Sequence, residues 1–216
     1  MLMPDINGRP KILSSTCKTV HIHMERVLQD DVLQSIWRLL DAAANKRTAF
    51  TLMQLATVAE NNTPKLRTIV VRDFHQEEGI VVFTADIRSW KIAEIRSNPH
   101  IALTALDSDK GLQLRMEGQA EVVGDLEKRK EAWGRLRIHS HLLFQSPLEP
   151  GTRLSSPLEA MPVPGRVSEA GEPVGSFALV HITLDRMDWL NVSGEPHMRC
   201  IFTRANGCWH GDWIAP

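Results

Sequence analysis

The sequence predicts an α+β domain, a mainly antiparallel β-barrel with flanking helices, and three observations point there. Short β-rich runs recur along most of the 216 residues, separated by turn clusters, and only a few segments between them carry helical spacing. No shift in composition divides the chain into comparable halves, so one domain, residues 31–216, is expected behind an N-terminal arm, residues 1–30. Strands with a few helices packed outside them form a closed sheet more readily than an open one, because closure removes unpaired edges.

The elements follow in order. Residues 1–30 show no sustained period and read as an extended arm. From Asp31, the residues Val32, Leu33, Ile36, Leu39 and Leu40 recur at helical spacing, with Asp30 or Asp31 as a cap and Asn45 as the end. Runs 48–58 and 65–74 flank Asn61-Asn62-Thr63-Pro64 and form a hairpin, and a third strand, 80–84, follows Glu78-Gly79. A short helix over 88–97 buries Ile92 and Ile95 and stops at Pro99. Strand signals return at 100–106. In 112–123, Leu114, Met116, Ala120 and Val122 alternate with Gln113, Arg115, Glu117, Gln119 and Glu121, so one face of that strand meets something polar. A charged helix over 126–137 carries Leu126, Trp133 and Leu136 as its apolar side.

Residues 145–175 hold six of the twelve prolines and four glycines, which predicts a long loop and a candidate lid. Strands at 177–184 and 187–192 come next, then a hairpin of 198–203 with 208–214. A two-residue Asn206-Gly207 turn sets Ala205 opposite Cys208 and Cys200 opposite Trp213. That register keeps the two sulfurs apart, and three cysteines without metal-ligand spacing read as free thiols.

Charge excludes some partners. With 25 Lys plus Arg against 26 Asp plus Glu there is no overall field to draw the chain onto nucleic acid or an anionic membrane, so any basic site is local. No 18-residue apolar stretch occurs and Met1 to Pro10 lacks a signal-peptide pattern, so a cytoplasmic location is the default expectation. The H-x-H pairs His21/His23 and His139/His141 lack a third ligand at useful spacing and read as solvated or capping residues rather than a metal site. The tryptophans at 133, 189, 209 and 213 read as core. Neither a G-x-S-x-G elbow nor H-E-x-x-H is present, which weakens hydrolase readings.

The most informative stretch is Phe83-Thr84-Ala85-Asp86-Ile87-Arg88-Ser89-Trp90-Lys91, where a strand end runs into a helix start. Free N–H groups, the positive end of the helix dipole and the side chains of Arg88, Ser89 and Lys91 suit a phosphate. Spacing alone favours the plainer reading, in which Ser89 or Asp86 caps the helix and Lys91 is a solvated charge. Arg67 lies on the face of its strand shared by Ile69 and Val71, so its guanidinium needs either a carboxylate or a bound anion. Gln113 and Arg115 share a polar face that can read the edge of a planar heterocycle or simply meet solvent.

Together these segments resemble the pyridoxamine 5′-phosphate oxidase family of split barrels that bind flavin mononucleotide (FMN). The resemblance is carried by R-T-I-V-V-R (67–72), G-I-V-V-F-T (79–84), R-S-W-K with N-P (88–91, 98–99), Q-L-R-M-E-G-Q-A (113–120) and W-L-N-V-S-G-E-P-H-M-R (189–199) leading to W-I-A-P. It implies that Arg67 and Lys91, with Arg88 and Ser89, hold the FMN phosphate. Thr68, Ile69, Val70 and Arg72 would form the strand beside the flavin, Phe83 and Thr84 a further contact, and Gln113 a neighbour of the ring. Trp189 and Arg199 would reach the flavin from a second subunit, which implies a homodimer with FMN at its interface. Gln145-Ser146 aligns with a Q-S pair of the family.

The departures concern the substrate. Trp90 stands where the family has an arginine before the lysine. The chain has no tyrosine, and Ala132 and Leu136 occupy positions that bind the vitamin B6 phosphate in the oxidases proper. The family's R-x-H becomes Glu195-Pro196-His197, which leaves His197 as the one candidate catalytic residue. The expectation is therefore an FMN-dependent oxidoreductase acting on a small molecule other than, or less anionic than, pyridoxamine phosphate. A genuine pyridoxamine phosphate oxidase with an altered site, or a flavin- or haem-binding module without turnover, are the alternatives.

Overall fold

The computed structural model describes residues 15–161, 173 and 175–216, with side chains from Leu28 onward. Its elements are α1 (Ser15–Asn45), β1 (Leu52–Val58), β2 (Pro64–His75), β3 (Ile80–Asp86), α2 (Trp90–Ser97), β4 (His100–Asp107) and β5 (Leu112–Val122). They continue with α3 (Leu126–Gly134), α4 (Ile138–His141), β6 (Phe177–Asn191), β7 (Met198–Ala205) and β8 (Cys208–Ile214). All pairings are antiparallel, and the sheet order β3-β2-β1-β4-β5-β6-β7-β8 closes through β3 on β6.

β6 explains why the barrel is split. Its first half, Phe177–Thr183, pairs with β3 on one edge and β5 on the other; its second half, Arg186–Asn191, keeps β5 but exchanges β3 for β7. At the exchange Glu117 faces Arg186 while Gly118 faces Leu184, so Asp185 is an extra residue. The two strands expected at 177–184 and 187–192 are thus one strand, kinked by a bulge that polar Asp185-Arg186 disguised as a break. Gly118 is required opposite it, because a Cβ there would overlap the Thr183 carbonyl oxygen.

The main core fills the barrel. Ile69, Val71, Val81, Phe83, Leu103, Leu114, Met116, Val180 and Ile182 point inward, and Ile36, Trp37, Leu40 and Ala43 of α1 pack against them. Trp37 stacks on Phe74 of β2 at 5.6 Å between centroids and meets Trp209 of β8 edge-on at 5.7 Å, so α1 ties the two sides of the split together. A smaller cluster lies outside β3 and β6, where Trp133, Leu136, Phe144, Phe177 and Leu179 pack on Val82.

Several expectations are corrected. α1 begins at Ser15, not Asp31, so the second half of the expected arm is helical; residues 1–14 lie outside the described residues. No Gly or Pro interrupts 15–45, and once the apolar face at 32–40 docks, extending a helix costs little. The predicted helix over 126–137 stops at Gly134 and restarts as α4, and Leu126 is exposed rather than packed. The described part of the 145–175 loop contains one short 3₁₀ turn, Pro157–Ala160, held by a capping box of Ser156 and Glu159. The Asn206-Gly207 hairpin has the expected register, with Ala205 opposite Cys208 and Cys200 opposite Trp213, and both turn residues have positive φ (52° and 79°).

Candidate functional site

Three regions gather the residues singled out above. The first is one end of the barrel, where β1, β2 and α2 meet. Burial along β2 alternates so that Arg67 shares the inward face with Ile69 and Val71, and its guanidinium reaches Glu94 of α2 at 2.6 Å. Arg67 also donates to the Thr57 hydroxyl, which in turn donates to Glu94. Glu94 is only 7% exposed. Of the two partners that Arg67 could take, the fold supplies a carboxylate. Glu94 was missed because nothing marks a glutamate between Ile92 and Ile95 as inward-facing until α2 is docked.

Lys91 sits at the same end with a different balance. Its ammonium donates to Ser89 Oγ at 3.3 Å and forms no ion pair among the described residues. Burial, and then the neighbouring Arg67, hold it below the usual lysine range. Ser89 is the N-cap of α2, yet its hydroxyl donates to the Asp86 carbonyl at 2.6 Å instead of accepting from the helix. Arg88 turns away: its fork grips Asp86 at 2.6 and 3.0 Å and donates to the Ser146 carbonyl at 3.1 Å. Trp90 is exposed.

The second region is a cavity of about 950 Å³ outside the barrel, at the upper end of the size of small-molecule pockets. Its floor is the outer face of β2, β3 and β6, with Val70, Arg72, Val82, Thr84 and His181; α3 and α4 form one wall and residues 43–52 the other. Of the expected flavin contacts, Val70, Arg72 and Thr84 line it. Ile69 and Phe83 face the core instead, as strand alternation demands, so a ligand here would not meet their side chains. His181 is buried and lies edge-on to His75, 5.8 Å between centroids; burial and then His75 lower its pKa.

The third region is the outer face of the sheet, which no helix covers among the described elements. Register sets Thr68, Gln54, Thr104, Arg115, Asp188 and Ile201 in one row across it, and Leu106, Gln113, Leu190 and Arg199 in the next. Asp188 is 3% exposed and accepts from Arg199 at 2.8 and 3.0 Å and from Arg115. Burial alone would raise its carboxyl, but the two guanidiniums outweigh that and hold it below the usual range. Trp189 faces the core, its indole N–H buried without a partner. His197 and Glu195 are exposed in the β6–β7 turn and line neither the cavity nor the barrel end. Of the histidine pairs, His141 stacks on Trp133 at 4.2 Å, and the side chains of His21 and His23 lie outside the described residues. Among the described residues no helix is long and apolar enough to cross a membrane.

Comparison with known proteins agrees with the fold. Residues 34–124 match the family model described as pyridoxamine 5′-phosphate oxidase, FMN-binding domain. A pyridoxine/pyridoxamine 5′-phosphate oxidase 2 from Arabidopsis thaliana is 28% identical over 176 residues, covering 76% of this chain and 86% of the relative. A solved pyridoxamine 5′-phosphate oxidase-related, FMN-binding protein from Nostoc punctiforme superposes with a TM-score of 0.73 at 26% identity, covering 84% of this chain and 96% of that one. PhzG from Burkholderia lata, solved with tetrahydrophenazine-1-carboxylic acid, shares the fold at a TM-score of 0.66 and 16% identity, covering 87% of this chain and 93% of that one.

Proposed function

Because the chain belongs to the pyridoxamine 5′-phosphate oxidase-like family of split barrels, we propose that it is a homodimeric, cytoplasmic FMN-dependent oxidoreductase whose substrate is not pyridoxamine phosphate itself. The observation that carries the cofactor is Lys91: its half-buried ammonium lies beside the Arg67 guanidinium, donates to the Ser89 hydroxyl and has no ion pair among the described residues, while the nearby carboxylates of Asp86 and Glu94 are engaged by Arg88 and Arg67. Arg67 keeps unused N–H donors beyond those given to Glu94, Thr57 and the Lys65 carbonyl, so the barrel end fits a phosphate held by Arg67, Ser89 and Lys91. Arg88 contributes to shaping that corner through Asp86 rather than to binding.

When bound, FMN supplies two-electron hydride chemistry. The protein's part is to hold and orient it. Thr68, Val70, Arg72 and Thr84 would offer the outward side of β2 and β3 to the cofactor, and the cavity that Val70, Arg72 and Thr84 line would take the substrate beside it. Gln113 and Arg199 lie on the open sheet face, where a second subunit would bring them to its partner's flavin. Apolar Leu52, Ala102 and Leu106 on that face favour burial against such a copy. Ala132 and Leu136 border the cavity without a donor for a phosphate, which supports a substrate different from that of the oxidases proper.

Titration with FMN, followed by flavin fluorescence, tests the reading. Lys91→Ala is expected to weaken FMN roughly 10- to 100-fold, the worth of a hydrogen bond to a charged group. Unchanged affinity would remove Lys91 from the site, and a protein that takes up no flavin would overturn the assignment. The oxidases among the relatives keep one rival in view, and pyridoxal phosphate formation from pyridoxamine phosphate decides for or against it.

A further inference from the structure

A corner built only to hold a phosphate would gather cations, but the barrel end gathers carboxylates as well. Arg67, Arg88 and Lys91 stand there with Asp86 and Glu94, and the pairs Arg88–Asp86 and Arg67–Glu94 both close at 2.6 Å. The first pair is local, two residues apart at the entry to α2. The second joins β2 to α2 across 27 residues. What is left is one positive charge, on Lys91, which lies one helical turn from Glu94 yet forms no ion pair with it among the described residues.

The helix fixes where the Glu94 charge sits. α2 turns Ile92, Glu94 and Ile95 inward, and the packing of the two isoleucines sets the rotation that buries the carboxylate between them. Its Oε2 accepts from Arg67 Nη2 at 2.6 Å and from the Thr57 hydroxyl, while that hydroxyl accepts from Arg67 Nη1. A phosphate oxygen facing Arg67 would make the same kind of charge-assisted contact that Oε2 already makes. Because Glu94 is shielded from water, its repulsion of a second anion beside Arg67 is weakly screened.

We propose that Glu94 is a built-in counter-anion of the barrel end: it neutralises Arg67 as a phosphate oxygen would, and so sets how strongly the site prefers a phosphorylated flavin over riboflavin. This rests on the reading of the barrel end as the FMN phosphate site and adds the residue that tunes its selectivity. A glutamate that only aimed Arg67 at the phosphate would act in the opposite direction, because its removal would loosen FMN.

Fluorescence titration of the flavin-free full chain with FMN and with riboflavin reads the preference as the ratio of the two dissociation constants. Glu94→Gln keeps the shape and an acceptor for Arg67 but removes the charge. It is expected to tighten FMN about tenfold and riboflavin less than about twofold, so the ratio rises. Lys91→Met tests the same balance without touching the buried pair: with Arg67 already neutralised, the preference for FMN is expected to fall below about tenfold. Should E94Q fail to fold, K91M carries the test alone. Weaker or unchanged FMN binding in E94Q, equal tightening of both flavins, or a preference above about tenfold in K91M would overturn the proposal. A parent chain that takes up neither flavin would instead overturn the phosphate-site reading beneath it, so the two failures are distinguishable.

Discussion

The barrel end and the cavity hold arginines in opposite states. At the barrel end Arg67 is paired with Glu94 and Thr57 before any ligand arrives, while in the cavity the guanidiniums of Arg72 and Arg137 have no hydrogen-bond or ion-pair partner among the described residues. The difference separates a cation that the fold itself neutralises from cations that it leaves without a partner among the described residues. A buried pair is costly to break but adds little when formed; an unpaired guanidinium costs stability until its anion binds. On the proposed reading, the hold on FMN would therefore depend on Lys91, which has no ion pair among the described residues, more than on Arg67.

Breaking the pairs should cost most. Glu94→Ala strands Arg67 inside the barrel end, and urea denaturation should show a loss of about 3 kcal/mol. Saturating FMN should return part of that loss, because its phosphate would substitute for the missing carboxylate; no recovery would make Arg67 purely structural. Asp188→Asn keeps the shape but removes the charge that gathers Arg115 and Arg199, and should cost about 2 kcal/mol by the same measurement.

The smallest expected effect lies in the cavity. His181 is held below the ordinary imidazole pKa, so the folded chain binds fewer protons there than the unfolded one. Its contribution is present above roughly pH 6.5 and is lost as pH falls through that ordinary value toward the lowered folded one. His181→Gln should thus lose less stability than the parent between neutral and mildly acidic pH, as read from thermal melts. Parallel pH profiles would place the titration elsewhere.

How much of this was legible in the sequence depends on whether the signal was local. The Asn206-Gly207 turn fixed a whole hairpin register, and the alternation of β5 separated core from open face, because both are decided within a few residues. Arg67 could be placed on the inward face but not given its partner, since Glu94 comes from another element 27 residues on. The bulge at Arg72 had no signature, because it depends on how β2 meets β3. Arg137 gave no hint either: in a helix reading of 126–137 it is one more surface charge, and only the break after Gly134 brings it to the cavity.

The closing of β3 on β6 also bears on how the chain folds. Residues 80–86 pair with 177–183, so this seam is the longest-range strand pairing among the described residues and the step expected to limit the folding rate. The Pro- and Gly-rich segment before β6 lies within the loop that this seam closes. Doubling the length of a closed loop costs only about 0.6 kcal/mol, so a change in the length of that segment is expected to leave the stability of the barrel nearly unchanged.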